Sequence, residues 1–244
     1  MTPHTYLDQG VTILHARLKT SAAQPQAAAQ TTIHPFITIS REACAGATTL
    51  GLHLIPLLDE QVGEEGRSWM FLDKDLITHA LTKHHLPEYL AQYLPEDRIS
   101  EIKGMIGELV GLHPPLWELE QRVSEAILQI AQLGCVIFAG RASHLITRAL
   151  PGGLHLRLVA SMEARIKRMQ ELQNCTDTVA ENALRSTDNA RRRYVQTNFE
   201  RDINDPHTYD LIINTDHVAP ATAAHMVVRA LHDRIGTPAA TARP

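Results

Sequence analysis

The most constraining feature of this 244-residue sequence is the stretch from Phe36 to Gly51. It begins with a short apolar, β-branched run, continues through small residues around Gly46, and ends in a leucine pattern with helical spacing that starts at Leu50. A strand, a small-residue loop and a helix in this order form a cradle for phosphate, because loop amides and the positive end of the helix dipole face an anion. The stretch therefore predicts a phosphate-binding site.

The loop departs from the usual phosphate-binding pattern, which reads G-x-x-x-x-G-K-[ST]. Gly46 takes the place of the second glycine and Thr48 that of the Ser/Thr, but Arg41 stands at the first glycine and Ala47 at the lysine. Another cation must therefore neutralise the phosphates. Arg41 is the nearest candidate, and an arginine of the 185–193 segment is the second. A plain strand-to-helix turn with a threonine N-cap is the alternative interpretation.

Within this loop, the backbone amides would wrap the phosphates of a nucleotide, and Gly46 would supply a positive φ angle. Thr48 or Thr49 would hold Mg²⁺ or a phosphate through its hydroxyl group. Cys44 is interpreted as a small loop residue rather than a catalytic thiol, because no His or Asn is placed to activate it. The predicted cofactor-binding residues are Cys44, Ala45, Gly46, Ala47, Thr48 and Thr49, with Thr48 as the metal ligand.

Composition argues against several classes of function. With 23 Lys and Arg against 27 Asp and Glu, the net charge is −4, which gives no overall electrostatic support for binding nucleic acid or a membrane. Arginines nevertheless concentrate between Arg157 and Arg201, which favours a small polyanion such as a nucleotide; arginines paired with acids on helix surfaces are the alternative. The cysteine spacing and the absence of a signal-peptide or membrane-length pattern predict a cytoplasmic protein.

Short apolar runs alternate with helical patterns along the chain. The predicted strands are 36–40, 69–72, 135–139, 154–160 and 209–214, and the helices between and after them are 48–61, 142–149, 162–173, 177–200 and 219–235. This alternation predicts an α/β fold, in which a five-stranded parallel sheet carries helices on both faces. Ligands of such sheets bind beyond the carboxyl ends of the strands, so the loops that follow the strands should meet at one site.

The domain is predicted to span residues 34–236. Residues 1–33 are rich in Ala, Gln, Ser and Thr towards their end and are predicted to be a flexible N-terminal extension, and residues 237–244 a frayed tail. Residues 75–133 have a helical pattern with proline breaks, and their apolar content leaves room for a homodimer.

Charged residues follow the predicted strands. Gly140 and Arg141 come directly after the third strand, where the arginine fork suits a phosphate; a structural arginine tied to a helix C-terminus is the alternative. Asp73 ends the second strand and is a candidate for orienting an acceptor hydroxyl or holding a magnesium water, although an N-cap is the alternative. Asp188 precedes Arg191 and Arg192 at helical spacing, and such a segment could close over phosphates; a solvated charged helix is the alternative.

Five motifs, in order along the chain, carry a resemblance to a known family. They are I-S-R-E from Ile39, F-L-D-K-D-L-I from Phe71, I-F-A-G-R-A from Ile137, L-R-L-V-A from Leu156, and D-P followed by Y-D-L-I-I-N-T-D between Asp205 and Asp216. Through them, the span from about residue 36 to 231 resembles the cytidylate-kinase-like branch of the P-loop nucleoside monophosphate kinases.

The resemblance implies a P-loop NTPase-like three-layer sandwich with a monophosphate-binding helical insertion at about 75–133 and a helical lid at about 174–202. It implies ATP with Mg²⁺ as phosphoryl donor and a nucleoside monophosphate, CMP among the candidates, as acceptor. The predicted catalytic residues, which would supply positive charge to the phosphates, are Arg41, Arg165, Arg191 and Arg192. The predicted substrate-binding residues are Asp73, Arg141 and Asp188.

The leading functional hypothesis is a cytoplasmic phosphotransferase that moves phosphate from MgATP to a nucleoside monophosphate or a similar small acceptor. Because the loop lacks its lysine, two alternatives remain. One is a nucleotide-binding sensor without turnover. The other is a protein-interaction module that uses the 75–133 block as its surface. The expected partners are small molecules, with no nucleic acid and no membrane.

Overall fold

The computed structural model describes residues 34–61, 68–73, 123–124, 127–128 and 130–236. Within them, five strands form one sheet in the order β2-β3-β1-β4-β5, and every neighbouring pair is parallel. The strands are β1 Phe36–Arg41, β2 Met70–Leu72, β3 Val136–Ala139, β4 Gly153–Val159 and β5 Leu211–Asn214. The predicted five-stranded parallel α/β sheet is thus confirmed, and β1 lies at its centre.

Helices connect these strands and cover the sheet. They are α1 Ala47–Gln61, α2 Ser143–Ile146, α3 Met162–Gln173, α4 Asp177–Phe199 and α5 Pro220–Gly236, with a 3₁₀ turn at Pro206–Thr208 before β5. The predicted helix 162–173 is confirmed to the residue, and Ser161 caps it by accepting a hydrogen bond from the Ala164 amide at 3.2 Å.

Two predicted elements are shorter than expected. The predicted helix 142–149 retains only the single turn α2, because the chain enters it at Ala142 with a left-handed φ of 50° and meets Pro151 soon after. The predicted strand 209–214 loses its first residues, because the hydroxyl group of Tyr209 is bonded beneath the sheet, 3.1 Å from Ser40 Oγ.

Three predicted regions lie wholly or mostly outside the described residues. These are the N-terminal extension 1–33, the tail 237–244 and the helical insertion 75–133. At the end of the insertion, residues 123–124, 127–128 and 130–133 are helical, as the sequence predicts there.

One face of the sheet is apolar and carries the main core. Alternate residues of β1 and β4 contribute Ile37, Ile39, Leu156 and Leu158, all fully buried. Leucines of α1 and valines of α5 pack on this face in the same cluster. The approach of α1 is close, because a Cβ at Gly51 would lie 2.3 Å from the ring of Phe71 on β2.

The intervening residues of the same two strands form a polar row on the other face. The register places Thr38 opposite His155 and Ser40 opposite Arg157, and all four side chains are buried. Helix α4 covers this side through two smaller apolar clusters, one of which joins Tyr194 and Val195 of α4 to the turn before α2. Within the described residues, no helix has both the length and the hydropathy needed to cross a bilayer.

Candidate functional site

The segment 41–49, hereafter the phosphate loop, runs from the end of β1 into the first turn of α1 and has two left-handed positions. Cys44 has a φ of 57° and Gly46 a φ of 88°, and the space that a Cβ would fill at Gly46 is open. Thr48 and Thr49 lie exposed in the first turn of α1. Amides in the first turn of a helix have no acceptor inside the helix, so this end of α1 offers donors to an anion.

Arginines from two other helices bind the carbonyl groups of the phosphate loop. Arg191 Nη1 of α4 donates to Arg41 O at 3.1 Å, and Arg168 Nη1 of α3 donates to Cys44 O at 3.3 Å. A third arginine, Arg165 of α3, donates from its Nη1 to Ala43 O at 3.5 Å. The positive charge beside this loop therefore comes from arginines on α3 and α4. In the usual pattern it comes from a lysine of the loop itself.

Asp188 ties α4 to the phosphate loop. Its Oδ1 accepts a hydrogen bond from the Ala43 amide at 2.7 Å, and its Oδ2 accepts one from Arg165 Nη1 at 2.5 Å. Arg165 also lies 3.8 Å from Glu42 Oε2, measured from its Nε. Both oxygens of the predicted substrate ligand Asp188 are thus engaged inside the protein, and a substrate hydroxyl would have to use their remaining lone pairs.

An open cleft of about 200 Å³, hereafter the arginine cleft, lies between α3, α4 and the phosphate loop. Its charged lining consists of six arginines and two carboxylates: Arg41, Arg157, Arg165, Arg185, Arg191, Arg192, Glu42 and Asp188. All four predicted catalytic arginines and Asp188 meet here. The excess of positive charge favours a ligand with several negative charges.

A smaller pocket, hereafter the inner pocket, has room for about one water, adjoins the cleft and shares Arg41 and Arg191 with it. It lies at the carboxyl end of β3, where three successive residues have positive φ angles: Gly140 at 94°, Arg141 at 55° and Ala142 at 50°. Two adjacent residues other than glycine in the left-handed region store strain, which is commonly kept at functional sites.

This turn places Arg141 inside the protein. The side chain is 2% exposed, and its Nη2 makes no hydrogen bond within the described residues. A buried cation is costly unless an anion or hydrogen-bond acceptors meet it. The predicted substrate ligand Arg141 therefore has the surroundings of a group that binds an anionic ligand.

Arg157 is a buried arginine that is not among the residues predicted from sequence. It lies on β4 at 5% exposure, donates to Ser40 Oγ at 3.1 Å and to Asn204 Oδ1 at 2.7 Å, and its Cζ lies 5.7 Å from the ring centre of Tyr209. These partners are neutral, so they hold the guanidinium in place without cancelling its charge. The sequence does contain a pattern that indicates its position. In Leu-His-Leu-Arg-Leu, residues 154–158, apolar and polar residues alternate, which places His155 and Arg157 on one face of a buried strand.

Two buried histidines lie on the same side of the sheet. Burial, reinforced by the nearby His155 and Arg157, lowers the pKa of His144 to about 3. Burial also lowers the pKa of His155 to about 4, although Asp210 opposes this shift. Both rings are therefore neutral at physiological pH.

Several predicted site residues lie apart from these two cavities. Asp73 follows β2, whose Leu72 is opposite Phe138 of β3, so it lies at the same edge of the sheet as Arg141 without lining either cavity. The predicted cofactor residues Cys44, Ala45, Gly46, Ala47, Thr48 and Thr49 line neither cavity. Burial raises the pKa of the Cys44 thiol, so a nucleophilic thiolate is disfavoured there.

The predicted metal ligand Thr48 offers a single hydroxyl group at the start of α1. Within the described part of the chain, no group of three or more His, Cys, Asp or Glu side chains is arranged to hold a metal ion. Mg²⁺ at phosphate sites takes only one or two protein ligands, with the remaining positions filled by waters and phosphate oxygens. An exposed threonine hydroxyl beside free helix amides is compatible with that chemistry.

Three solved structures align with this chain over more than nine tenths of their own length. An uncharacterized protein from Eubacterium ventriosum has a TM-score of 0.57 at 18% identity, with 82% of this chain and 99% of that chain covered. A shikimate kinase from Bacteroides thetaiotaomicron has a TM-score of 0.44 at 14% identity, with 82% and 97% covered. A gluconokinase from Sinorhizobium meliloti has a TM-score of 0.43 at 13% identity, with 82% and 93% covered.

Among curated protein sequences, none matches this chain significantly. The sequence profile of the cytidylate kinase-like family, in contrast, matches residues 36–217, which include all five strands, the phosphate loop, the arginine cleft and Arg141. The sheet order and the strand–loop–helix unit around Gly46 are those of a nucleotide-binding, kinase-like P-loop fold. This chain belongs to the cytidylate kinase-like family.

Proposed function

We propose that this protein is a cytoplasmic phosphotransferase that moves a phosphoryl group from MgATP to a nucleoside monophosphate or a similar small anionic acceptor. The observation that carries the proposal is Arg141. It is a fully buried cation at the carboxyl end of an inner strand of the sheet, and its Nη2 has no partner within the described residues. It lines the inner pocket, which shares Arg41 and Arg191 with the arginine cleft. An anionic substrate would satisfy it.

The donor phosphates would be held by the phosphate loop. The amides at the start of α1 and the open side of Gly46 suit the phosphates, and Thr48 would hold Mg²⁺. When bound, MgATP would supply the transferable phosphoryl group. The arginines that reach the loop carbonyls, Arg165, Arg168 and Arg191, supply the positive charge that the missing lysine would otherwise bring.

The acceptor would be held at the edge of the sheet formed by β2 and β3. Arg141 would bind its anionic group through the guanidinium fork, and Asp73 would orient its hydroxyl groups. Arg191 lines both the arginine cleft and the inner pocket, so it lies between the donor and acceptor sides. Together with Arg41, Arg165 and Arg192, it would stabilise the negative charge on the transferring group, which is the main requirement of phosphoryl transfer.

A nucleotide sensor without turnover is the second candidate. The observation in its favour is that Asp188 already occupies the Ala43 amide of the phosphate loop at 2.7 Å. The same carboxylate keeps Arg165 in an ion pair, so this arginine would be less available to a transferring phosphoryl group, whereas nucleotide binding at the start of α1 would remain.

The test is a titration of MgATP by calorimetry, followed by a coupled turnover assay across the nucleoside monophosphates. We expect MgATP binding and turnover with at least one monophosphate. Arg141→Ala should lower kcat/KM for that acceptor by about 100-fold, since a charge-assisted contact to the substrate is lost. Arg148→Ala is the matched control, because Arg148 is an exposed arginine of the same segment that lines neither cavity.

The outcomes separate the candidates. MgATP binding without turnover on any monophosphate would favour the sensor. No MgATP binding at millimolar concentration would contradict both proposals. Equal kinetics in Arg141→Ala and Arg148→Ala would leave the fold assignment intact but overturn the acceptor site.

A further inference from the structure

The backbone amides of the phosphate loop fall into two groups, which meet at Gly46. Before it, the amides of Glu42, Ala43 and Ala45 donate to acceptors within the protein. From Gly46 onward, four successive amides make no hydrogen bond within the described residues, those of Gly46, Ala47, Thr48 and Thr49. The last three belong to the first turn of α1, where the helix itself offers no acceptor. The direction of the Gly46 amide, in contrast, depends on the loop.

The backbone conformation at Gly46 suits an anion. Gly46 has a φ of 88° and is followed directly by the helical Ala47. A left-handed residue beside a right-handed one turns successive amides towards one side, an arrangement that binds anions. The Gly46 amide can therefore join the amides of α1 around one phosphate group, provided that the peptide group between Ala45 and Gly46 keeps its orientation.

Thr215 holds this peptide group by its carbonyl oxygen. It follows β5 directly, is half-buried, and donates from Oγ1 to Ala45 O at 3.2 Å. In a planar trans peptide group the C=O and the N–H point in opposite directions. The hydrogen bond to Ala45 O therefore fixes the direction of the Gly46 N–H, which points away from Thr215.

Arg168 of α3 fixes the direction of the Thr215 hydroxyl. Its Nη1 donates to Thr215 Oγ1 at 2.9 Å, and its Nη2 donates to Thr215 O at 2.8 Å. The hydroxyl proton is then free for a carbonyl oxygen, and two are within reach, Ala45 O at 3.2 Å and Val159 O at 3.4 Å. Val159 O already accepts the Thr215 amide at 2.9 Å, so Ala45 O is the better acceptor.

We propose that Thr215 is a positioning residue for the donor phosphates and that Arg168 orients it. The pair fixes the Ala45–Gly46 peptide group, so that the Gly46 amide donates to a phosphate oxygen of MgATP. Neither side chain has to touch the nucleotide for this role, which adds to the positive charge that Arg168 brings. The inference rests on the proposed function, because it concerns the donor site of that reaction.

The test measures MgATP binding by calorimetry in three threonine variants. Thr215→Val keeps the shape of the side chain and removes the hydroxyl, whereas Thr215→Ser keeps the hydroxyl. Thr208→Val is the matched control, because Thr208 Oγ1 also donates to a backbone carbonyl, Asp205 O at 2.8 Å, but one outside the phosphate loop. Glycine labelled with ¹⁵N supplies a second readout, the amide resonance of Gly46.

We expect Thr215→Val to weaken MgATP binding by about 10-fold, because a hydrogen bond to a charged phosphate is misaligned. Thr215→Ser should stay within about 2-fold of the wild type, and Thr208→Val should bind like the wild type. The Gly46 resonance should move when MgATP binds the wild-type protein and move less in Thr215→Val. Adding Thr215→Val to Arg168→Met should weaken binding little further, because both changes release the same peptide group.

Three results would overturn this inference while leaving the proposed function in place. They are wild-type affinity in Thr215→Val, equal losses in Thr215→Val and Thr215→Ser, and a Gly46 resonance that MgATP does not move in the wild-type protein. If Thr215→Val does not fold, the wild-type resonance and the affinity of Thr215→Ser decide. If the wild-type protein does not bind MgATP, the proposed function itself fails, and this inference fails with it.

Discussion

The two faces of the central strands β1 and β4 are built from alternate residues of the same short segments and have opposite characters. On one face, residues such as Ile39 and Leu156 are fully buried beneath α1 and α5, with only apolar neighbours. On the other face, Thr38, His155 and Arg157 are just as buried but form hydrogen bonds and contact polar groups. The side chains of the two faces are equally buried, so the faces differ in polarity and not in solvent exposure.

The two faces of the sheet are expected to have different roles, one in the stability of the fold and the other in ligand binding. Burying apolar surface under α1 and α5 stabilises the fold. Burying histidines and an arginine on the other face works against stability unless each group is paired or kept neutral, so this face contributes less to stability than the apolar one. The proposed binding site gives a reason for Arg157 to lie there, because it lines the arginine cleft. The predictions below test this comparison, from the largest expected effect to the smallest.

Acidification should destabilise the protein through the polar face. In the unfolded chain histidines take up protons from about pH 6.5 downward, whereas in the folded protein His155 stays neutral to about pH 4 and His144 to about pH 3. The unfolded state therefore binds more protons in this window. Stability is full above pH 6.5 and falls by about 1.4 kcal/mol per pH unit for each histidine as the pH drops.

Urea unfolding between pH 7.5 and 4.5 measures this effect, with His144→Phe and His155→Phe as comparisons. The charged groups around the rings include Arg148, Asp210 and Arg234, and they are the same in all variants. The difference in slope therefore isolates the histidines. An unchanged slope in both variants would show that the rings do not remain neutral in the folded protein.

Truncation on the apolar face should destabilise without changing the site. Leu156 is 0% exposed and packs in the main core, so Leu156→Ala should lower the free energy of unfolding by about 2–5 kcal/mol. Below the unfolding transition, KM for donor and acceptor should match the wild type. A changed KM at a temperature where the variant is folded would argue against the separation of the two faces.

The adjacent residue on the polar face should behave in the opposite way. Arg157→Met keeps the length of the side chain and removes a buried cation, but it also leaves Ser40 Oγ and Asn204 Oδ1 without their donor. These effects oppose each other, so the melting temperature should change little. Nucleotide affinity should fall by about 10- to 100-fold, since a charged hydrogen-bond donor lining the arginine cleft is lost. A variant that is destabilised by several kcal/mol yet binds normally would assign Arg157 a structural role.

A change remote from both faces should have the smallest effect. Ser161→Ala removes the N-cap of α3, for which the expected loss is about 1 kcal/mol of stability with no effect on nucleotide affinity. Thermal unfolding with a parallel affinity measurement checks both quantities. An affinity loss in this variant would mean that the start of α3 belongs to the site.

Local signals account for the parts of the structure that were predictable from sequence. The limits of α3 follow from the Ser161 cap, and the strand–loop–helix unit around Gly46 is contained in sixteen consecutive residues. Tyr209 has high strand propensity, but its hydroxyl bonds to groups beneath the sheet, which removes it from β5. Such tertiary contacts have no local pattern in the sequence.

The site shows the same limit. The position of Arg141 at the carboxyl end of β3 was predictable, because it follows an apolar run and a glycine in the sequence. The contact between Arg168 and the carbonyl of Cys44 joins residues 124 positions apart, and the pairing of Asp188 with the Ala43 amide joins residues 145 apart. Spacing along the sequence carries no information on such distant partners, so the sequence narrows the arginines beside the phosphate loop to a few candidates but does not identify Arg168 as one of those that contact it.

The central claim is that Arg141 is a buried cation held for an anionic acceptor, and one measurement tests it most directly. Thermal unfolding of wild type and Arg141→Met is followed with and without nucleoside monophosphate. The account predicts that, without ligand, the variant melts at the same temperature as wild type or higher, because a buried charge is removed. Saturating monophosphate should raise the melting temperature of wild type only. A variant that melts well below wild type and still gains stability from the monophosphate would contradict the account.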